Sequence, residues 1–175
     1  AGTSVRRAWQ PAVRPGDSKA VVWRDPGARE RTEVSIVYLH GFSADRHEVE
    51  PLITDLAHDL QANIYFARLR GHGRDGAAML EPSAADWLAD TAEAIAIGGR
   101  IGEKVVLVAT STGGTLGCGT SNAHFRVERC VHIVGGVALA VEALVGAGGH
   151  YAVHAGVAQG EECVFRVIVS FTAHG

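Results

Sequence analysis

A serine at position 111 sits in the run VVLVATSTGGTL (105–116), where an apolar stretch gives way to small residues. A serine hydroxyl is a weak nucleophile unless a base stands beside it and the backbone lifts it clear of its surroundings. A sharp strand-to-helix turn lifts it, but crowds the positions two before and two after, which must then be small. Here those positions are Ala109 and Gly113, with Gly114 next. Groups that could activate the hydroxyl follow in the chain. The histidines are His124, His132, His150, His154 and His174, and the acids are Glu128, Glu142, Glu161 and Glu162, with no aspartate.

Other chemistry finds less support. His150 and His154 in HYAVH have the spacing that puts two imidazoles on one helical face, but the glutamate of a zinc-protease motif is missing, so no metal is expected. GGRIGE (98–103) falls at a helix end rather than between a strand and a helix start, so it does not read as a phosphate loop, and no cofactor is expected. His40 and His72 both border glycines and read as residues that shape loops. Arg68, Arg70 and Arg74 form a local cluster that reads as a solvated loop rather than a substrate clamp. Cys118, Cys130 and Cys163 are odd in number and widely spaced, which suits buried reduced thiols in a reducing, cytoplasmic setting.

Positioning Ser111 requires strands that end together. KAVVWRD (19–25) reads as a strand. VSIVYLH (34–40) is a continuous apolar run rich in β-branched residues, the pattern of a strand covered on both faces, and NIYFARL (63–69) and KVVLVAT (104–110) read as a second and a third such strand. Between them, Val49, Leu52, Ile53, Leu56, Ala57 and Leu60 mark one stripe of a helix, with Pro51 in its first turn. SAADWLADTAEAIAIGGRIG (83–102) reads as a second helix. Ser83 and Asp86 form its capping box, Trp87 is a core anchor, and Gly98-Gly99 is the expected stop. The segment after Ser111 reads as helical despite its glycines. Strands alternating with helices predict an α/β fold, a mostly parallel sheet flanked by helices, in a single domain spanning 1–175.

The 175 residues suffice for one core, and the net charge of −3 with 47% hydrophobic and 20% charged residues describes an ordinary globular chain. That balance offers nothing to nucleic acid or to an anionic membrane surface. No apolar run reaches the ~18 residues of a membrane span, and the N-terminal AGTSVRRAWQPAVRPGDSK is not a visible signal peptide.

YLHGFSA (38–44), RLRGHGRDG (68–76) and ATSTGG (109–114), in this order and with this strand–helix spacing, resemble the α/β-hydrolase superfamily, in particular its carboxylesterases and acylglycerol lipases. The resemblance covers residues 20–125. It implies that Ser111 is the nucleophile of a serine esterase acting on small acyl esters. It also implies that the backbone N–H groups of Phe42 and Thr112 hold the oxyanion. One departure is Ala109, where the family's elbow carries glycine; the methyl group is small enough for the turn to survive.

In the family's order of serine, acid, histidine, His174 is best placed as the base, just after the strand-like CVFRVIVSF (163–171), while the acid stays open and Glu142 is a candidate by order alone. Residues 126–175 lack Asp, Lys, Pro and Trp and are rich in Gly, Ala, Val and His. They are shorter than the strands and helices the family carries there, so the fold is expected to be truncated or altered after about residue 125. VERCVHIVGGVALAV (127–141) reads as one long strand or as a strand followed by a helix start. A half-built sheet would expose an apolar edge, which predicts a homodimer through that edge or by exchange of the C-terminal strand. The alternative to an esterase is a catalytically impaired hydrolase-like domain with an incomplete triad.

Overall fold

The computed structural model describes residues 13–121, 127–134 and 137–141, and side chains as far as Gly117 together with Thr120. In chain order the elements are β1 (Ala20–Val22), β2 (Thr32–Leu39), α1 (Glu50–Leu60), β3 (Asn63–Phe66), α2 (Ala84–Ile101), β4 (Gly102–Thr110), α3 (Thr112–Ser121), β5 (Val127–Val134) and β6 (Val137–Val141). The strands form one sheet in the order β1-β3-β2-β4-β5-β6. β3, β2, β4 and β5 run parallel, and antiparallel β1 and β6 lie at the two ends.

Strand periodicity sends alternate residues of β2 to opposite faces. Val34, Ile36 and Tyr38 pack with Val106, Val108, Ile64 and Phe66 under Ile53, Leu56 and Ala57 of α1. Val37 and Leu39 pack with Val105, Leu107 and Ala109 under Ala94, Ile95 and Ile101 of α2. Both faces are therefore covered, which is why these strands read as unbroken apolar runs. Pro51 lies in the first turn of α1, as expected, preceded by a short 3-10 helix at Arg46–Glu48.

The capping box of α2 is present. Ser83 Oγ accepts the Asp86 N–H, and the Asp86 carboxylate accepts the Ser83 N–H at 2.9 Å. The expected stop at Gly98-Gly99 is a correction: α2 runs on to Ile101. Gly98 serves contact instead. A Cβ there would lie 2.4 Å from Val37 Cγ2 and 3.3 Å from Val105 Cγ1, so the missing side chain lets the helix lie directly on the sheet.

The same reason explains Gly117 in α3. A Cβ on Gly117 would lie 2.7 Å from Leu107 Cδ2. Glycine weakens a helix interior by roughly 0.5–1 kcal/mol relative to alanine, which the close packing offsets.

Residues 127–141 are a second correction. They form two antiparallel strands, with Val134 opposite Val137 and Cys130 opposite Val141.

Candidate functional site

The parallel strands β2 and β4 end side by side, with Leu39 opposite Ala109. Strand β4 stops at Thr110, α3 starts at Thr112, and Ser111 alone makes the turn, with φ +47°. That left-handed conformation costs a residue with a Cβ roughly 1–2 kcal/mol, and such strain gathers where a side chain must be aimed. Ser111 is exposed at this corner. Its carbonyl accepts the N–H groups of Gly114 (2.9 Å) and Thr115 (3.2 Å), so the turn leads straight into the helix. Ala109, fully buried, is accommodated.

Gly113 is needed because α3 begins against the end of β2. A Cβ there would stand 2.4 Å from the Leu39 carbonyl oxygen and 2.7 Å from that of His40. Gly41 closes the corner from the other side, where a Cβ would sit 3.5 Å from both Ser111 Cβ and the Thr110 carbonyl oxygen. Beneath the turn, Thr110 Oγ1 and the Tyr38 hydroxyl share a hydrogen bond of 3.0 Å, and Tyr38 also reaches Glu48 at 3.3 Å. The structure thus brings Ser111 next to the loop that carries Phe42. Thr112 opens α3, where the first amides of a helix lack partners within it.

Phe42 projects outward, 58% exposed, in a turn closed by the Ala44 N–H on the Gly41 carbonyl. Its ring meets His72 and Trp87 edge-on, each at 6.2 Å. Trp87, expected in the core, is instead half-buried beside Phe42, held by its Nε1–H donating to the Arg70 carbonyl at 3.0 Å. The ring is amphipathic, and the loop carbonyl supplies the partner its indole N–H needs.

His40 is buried just past β2. Its Nδ1 pairs with the Gly41 carbonyl at 2.9 Å and its Nε2 accepts the Leu69 N–H at 3.0 Å. Burial pushes its pKa down to about 4. With both nitrogens committed to backbone, His40 shapes the loop and is not a base. The pKa of His72 is likewise lowered by burial.

The three arginines serve the same loop. Arg70 pairs with Asp86 and, through Nε at 3.2 Å, with buried Asp90, while Arg68 donates to the His72 carbonyl at 3.0 Å. Arg74 is not solvated as expected: its side chain is largely covered and grips Glu81 with two hydrogen bonds of 2.6 and 3.0 Å. These cations are matched to protein carboxylates or carbonyls.

His174, Glu142, His124, His150, His154, Glu161, Glu162 and Cys163 lie outside the described residues. Of His132, Glu128 and Cys130 only the backbone in β5 is described, with His132 opposite Ala109. Among the described residues one group of metal-ligating types comes together, Asp17, Asp45 and His47. Asp17 accepts from Arg14 Nε at 2.7 Å, and Asp45 holds the His47 N–H and ring at 2.9 Å, an ion-pair cluster. A polar surface cleft lined by Arg24, Arg31, Glu33 and Gln61 sits beside Thr32, at the start of β2 and away from Ser111. Among the described residues, no helix is long and apolar enough to cross a membrane.

No curated protein sequence matches the chain. A solved structure from work on LipS and LipT, two metagenome-derived lipolytic enzymes, shares the fold, with a TM-score of 0.54 and 23% identity. The similarity covers 63% of this chain and 42% of the other, so this chain spans less than half of that relative. The model of the alpha/beta hydrolase family matches residues 36–171, a stretch that runs from β2 through most of the compositionally unusual segment after residue 125. With that match over most of its 175 residues, the chain belongs to the alpha/beta hydrolase family.

Proposed function

We propose that the protein is a serine carboxylesterase that hydrolyses small acyl esters through an acyl-enzyme on Ser111. The observation that carries this reading is the exposed Ser111 at φ +47°, alone between β4 and α3 and against Gly41 of the Phe42 loop. Family membership and the fold shared with a lipolytic enzyme support hydrolase chemistry of this kind.

In this mechanism the Ser111 hydroxyl adds to the ester carbonyl while an imidazole, assigned to His174, takes its proton. The carbonyl oxygen becomes an oxyanion, held by the N–H groups of Phe42 and Thr112; loss of one such donor typically costs roughly 10²–10³ in turnover. Collapse expels the alcohol, which takes the proton from the imidazole. Water then attacks the acyl-serine by the same route, releasing the acid and restoring Ser111.

The Phe42 and Trp87 rings offer an apolar surface beside the loop, suited to a short acyl or aryl group. The test is p-nitrophenyl butyrate hydrolysis by the parent chain and by Ser111→Ala. Loss of at least a thousandfold in kcat supports the assignment, and turnover equal to that of the parent overturns it.

A further inference from the structure

Residues 40–45, which carry Phe42, belong to no helix or strand, yet an oxyanion donor must be held in place before the reaction to be effective. What fixes it comes from the other glycine-rich loop. His72 is 2% exposed, and its Nε2 accepts the backbone N–H of Ser43, the residue after Phe42, at 3.2 Å. Its Nδ1 faces the Arg70 carbonyl at 3.2 Å and can only donate there, which fixes the tautomer with Nε2 as the acceptor.

That carbonyl is shared with Trp87 Nε1, and the Arg70 N–H is anchored on the buried Asp90 carboxylate at 2.7 Å. Ser43 itself holds a positive φ of 56° in the turn closed by the Ala44 N–H on the Gly41 carbonyl. A serine in that conformation needs a compensating contact, and the Ser43 N–H on His72 supplies it. The imidazole also packs at 4.5 Å from His40 and edge-on to Phe42. The ring is thus seated on one loop and grips the other at the peptide unit next to the proposed oxyanion donor.

The geometry points to His72 as a positioning residue: its neutral Nε2, by holding the Ser43 amide, sets the direction of the neighbouring Phe42 N–H toward Ser111. This assignment rests on the esterase reading for its catalytic consequence, while the hydrogen bond itself can be tested without any turnover.

The experiment compares the parent, His72→Phe and His72→Gln. Gln can place a carbonyl oxygen near the Nε2 position, whereas Phe keeps a ring without an acceptor. With p-nitrophenyl butyrate, His72→Phe is expected to lose about 10- to 100-fold in kcat, short of the full loss of an oxyanion donor, with KM changed less than threefold. His72→Gln should recover most of that loss. Amide hydrogen exchange at Ser43 should accelerate at least tenfold in His72→Phe and stay near the parent rate in His72→Gln.

Unchanged Ser43 exchange in a folded His72→Phe overturns the proposal, as does faster exchange with parental kcat. Long-range proton–nitrogen NMR on the parent at pH 7.5 decides the point even if a variant does not fold. A His72 protonated on Nδ1 alone supports the hydrogen bond, and one protonated on Nε2 refutes it. A parent chain that hydrolyses no ester, with Ser43 exchange still governed by His72, would refute the esterase reading and leave the loop contact standing.

Discussion

Acidification should expose the cost of burying His40. The unfolded chain takes up a proton at the ordinary imidazole value of 6.5, whereas burial lowers the folded value to about 4. The Gly41 carbonyl and Asp45 favour the proton, and His72 and Arg68 oppose it. Between those two values the unfolded state binds more protons, so stability falls as pH falls. The contribution is fully present above pH 6.5, is lost progressively toward pH 4, and changes no further below that. A gap of about 2.5 pH units, at ~1.4 kcal/mol each, amounts to about 3 kcal/mol. Urea unfolding of the parent and of His40→Gln from pH 7.5 to 4 isolates this from the carboxylates, which titrate in both. The parent should lose about 3 kcal/mol more than the variant over the interval. Parallel curves would mean that His40 is accessible to protons in the folded state, and the buried contacts with Gly41 and Leu69 would be wrong.

Three further expectations concern packing and assembly. Gly98→Ala adds helix propensity worth ~1 kcal/mol, but its Cβ would stand 2.4 Å from Val37 Cγ2 in a fully buried layer. Overpacking of ~1–3 kcal/mol should prevail, so thermal unfolding should show a lower midpoint, and a raised one refutes the contact. Gly113→Ala meets backbone oxygen at 2.4 Å, which cannot rotate away. It should cost about 3 kcal/mol or more and reduce ester turnover by displacing Ser111; full stability by calorimetry would contradict the close approach of α3 to β2. Light scattering of the purified protein should give twice the mass of the chain if sheet edges pair or C-terminal strands exchange, and a monomer at every concentration rules that assembly out.

Much of the sheet was legible because burial on both faces leaves a strong trace. The runs in β2 and β4 had to be apolar throughout, and the six apolar positions of residues 49–60 had to share one stripe. Ser83 and Asp86 were legible because their bonds are local.

Legibility failed where a residue's purpose lay in another part of the chain. Gly98 looks like a stop until Val37 is placed beneath it. The split of residues 127–141 into β5 and β6 was not legible, because β-branched residues in both halves suit one long strand as well as two. Trp87 reads as core from its composition, and only the Arg70 carbonyl and the Phe42 ring explain its half-exposed position. The tie between His72 and Ser43 spans 29 residues, beyond any periodicity. Of the candidate site, the sharp turn at Ser111 with its small neighbours was readable because its demands are local. An assignment of its base depends on residues remote in sequence.

An activated nucleophile at Ser111 is the centre of the proposed chemistry. Incubating the parent chain with a fluorophosphonate probe and mapping the adduct by peptide mass spectrometry tests this. Stoichiometric labelling confined to Ser111, abolished in Ser111→Ala, is the predicted result; a folded chain left unlabelled, or labelled at another residue, would contradict it.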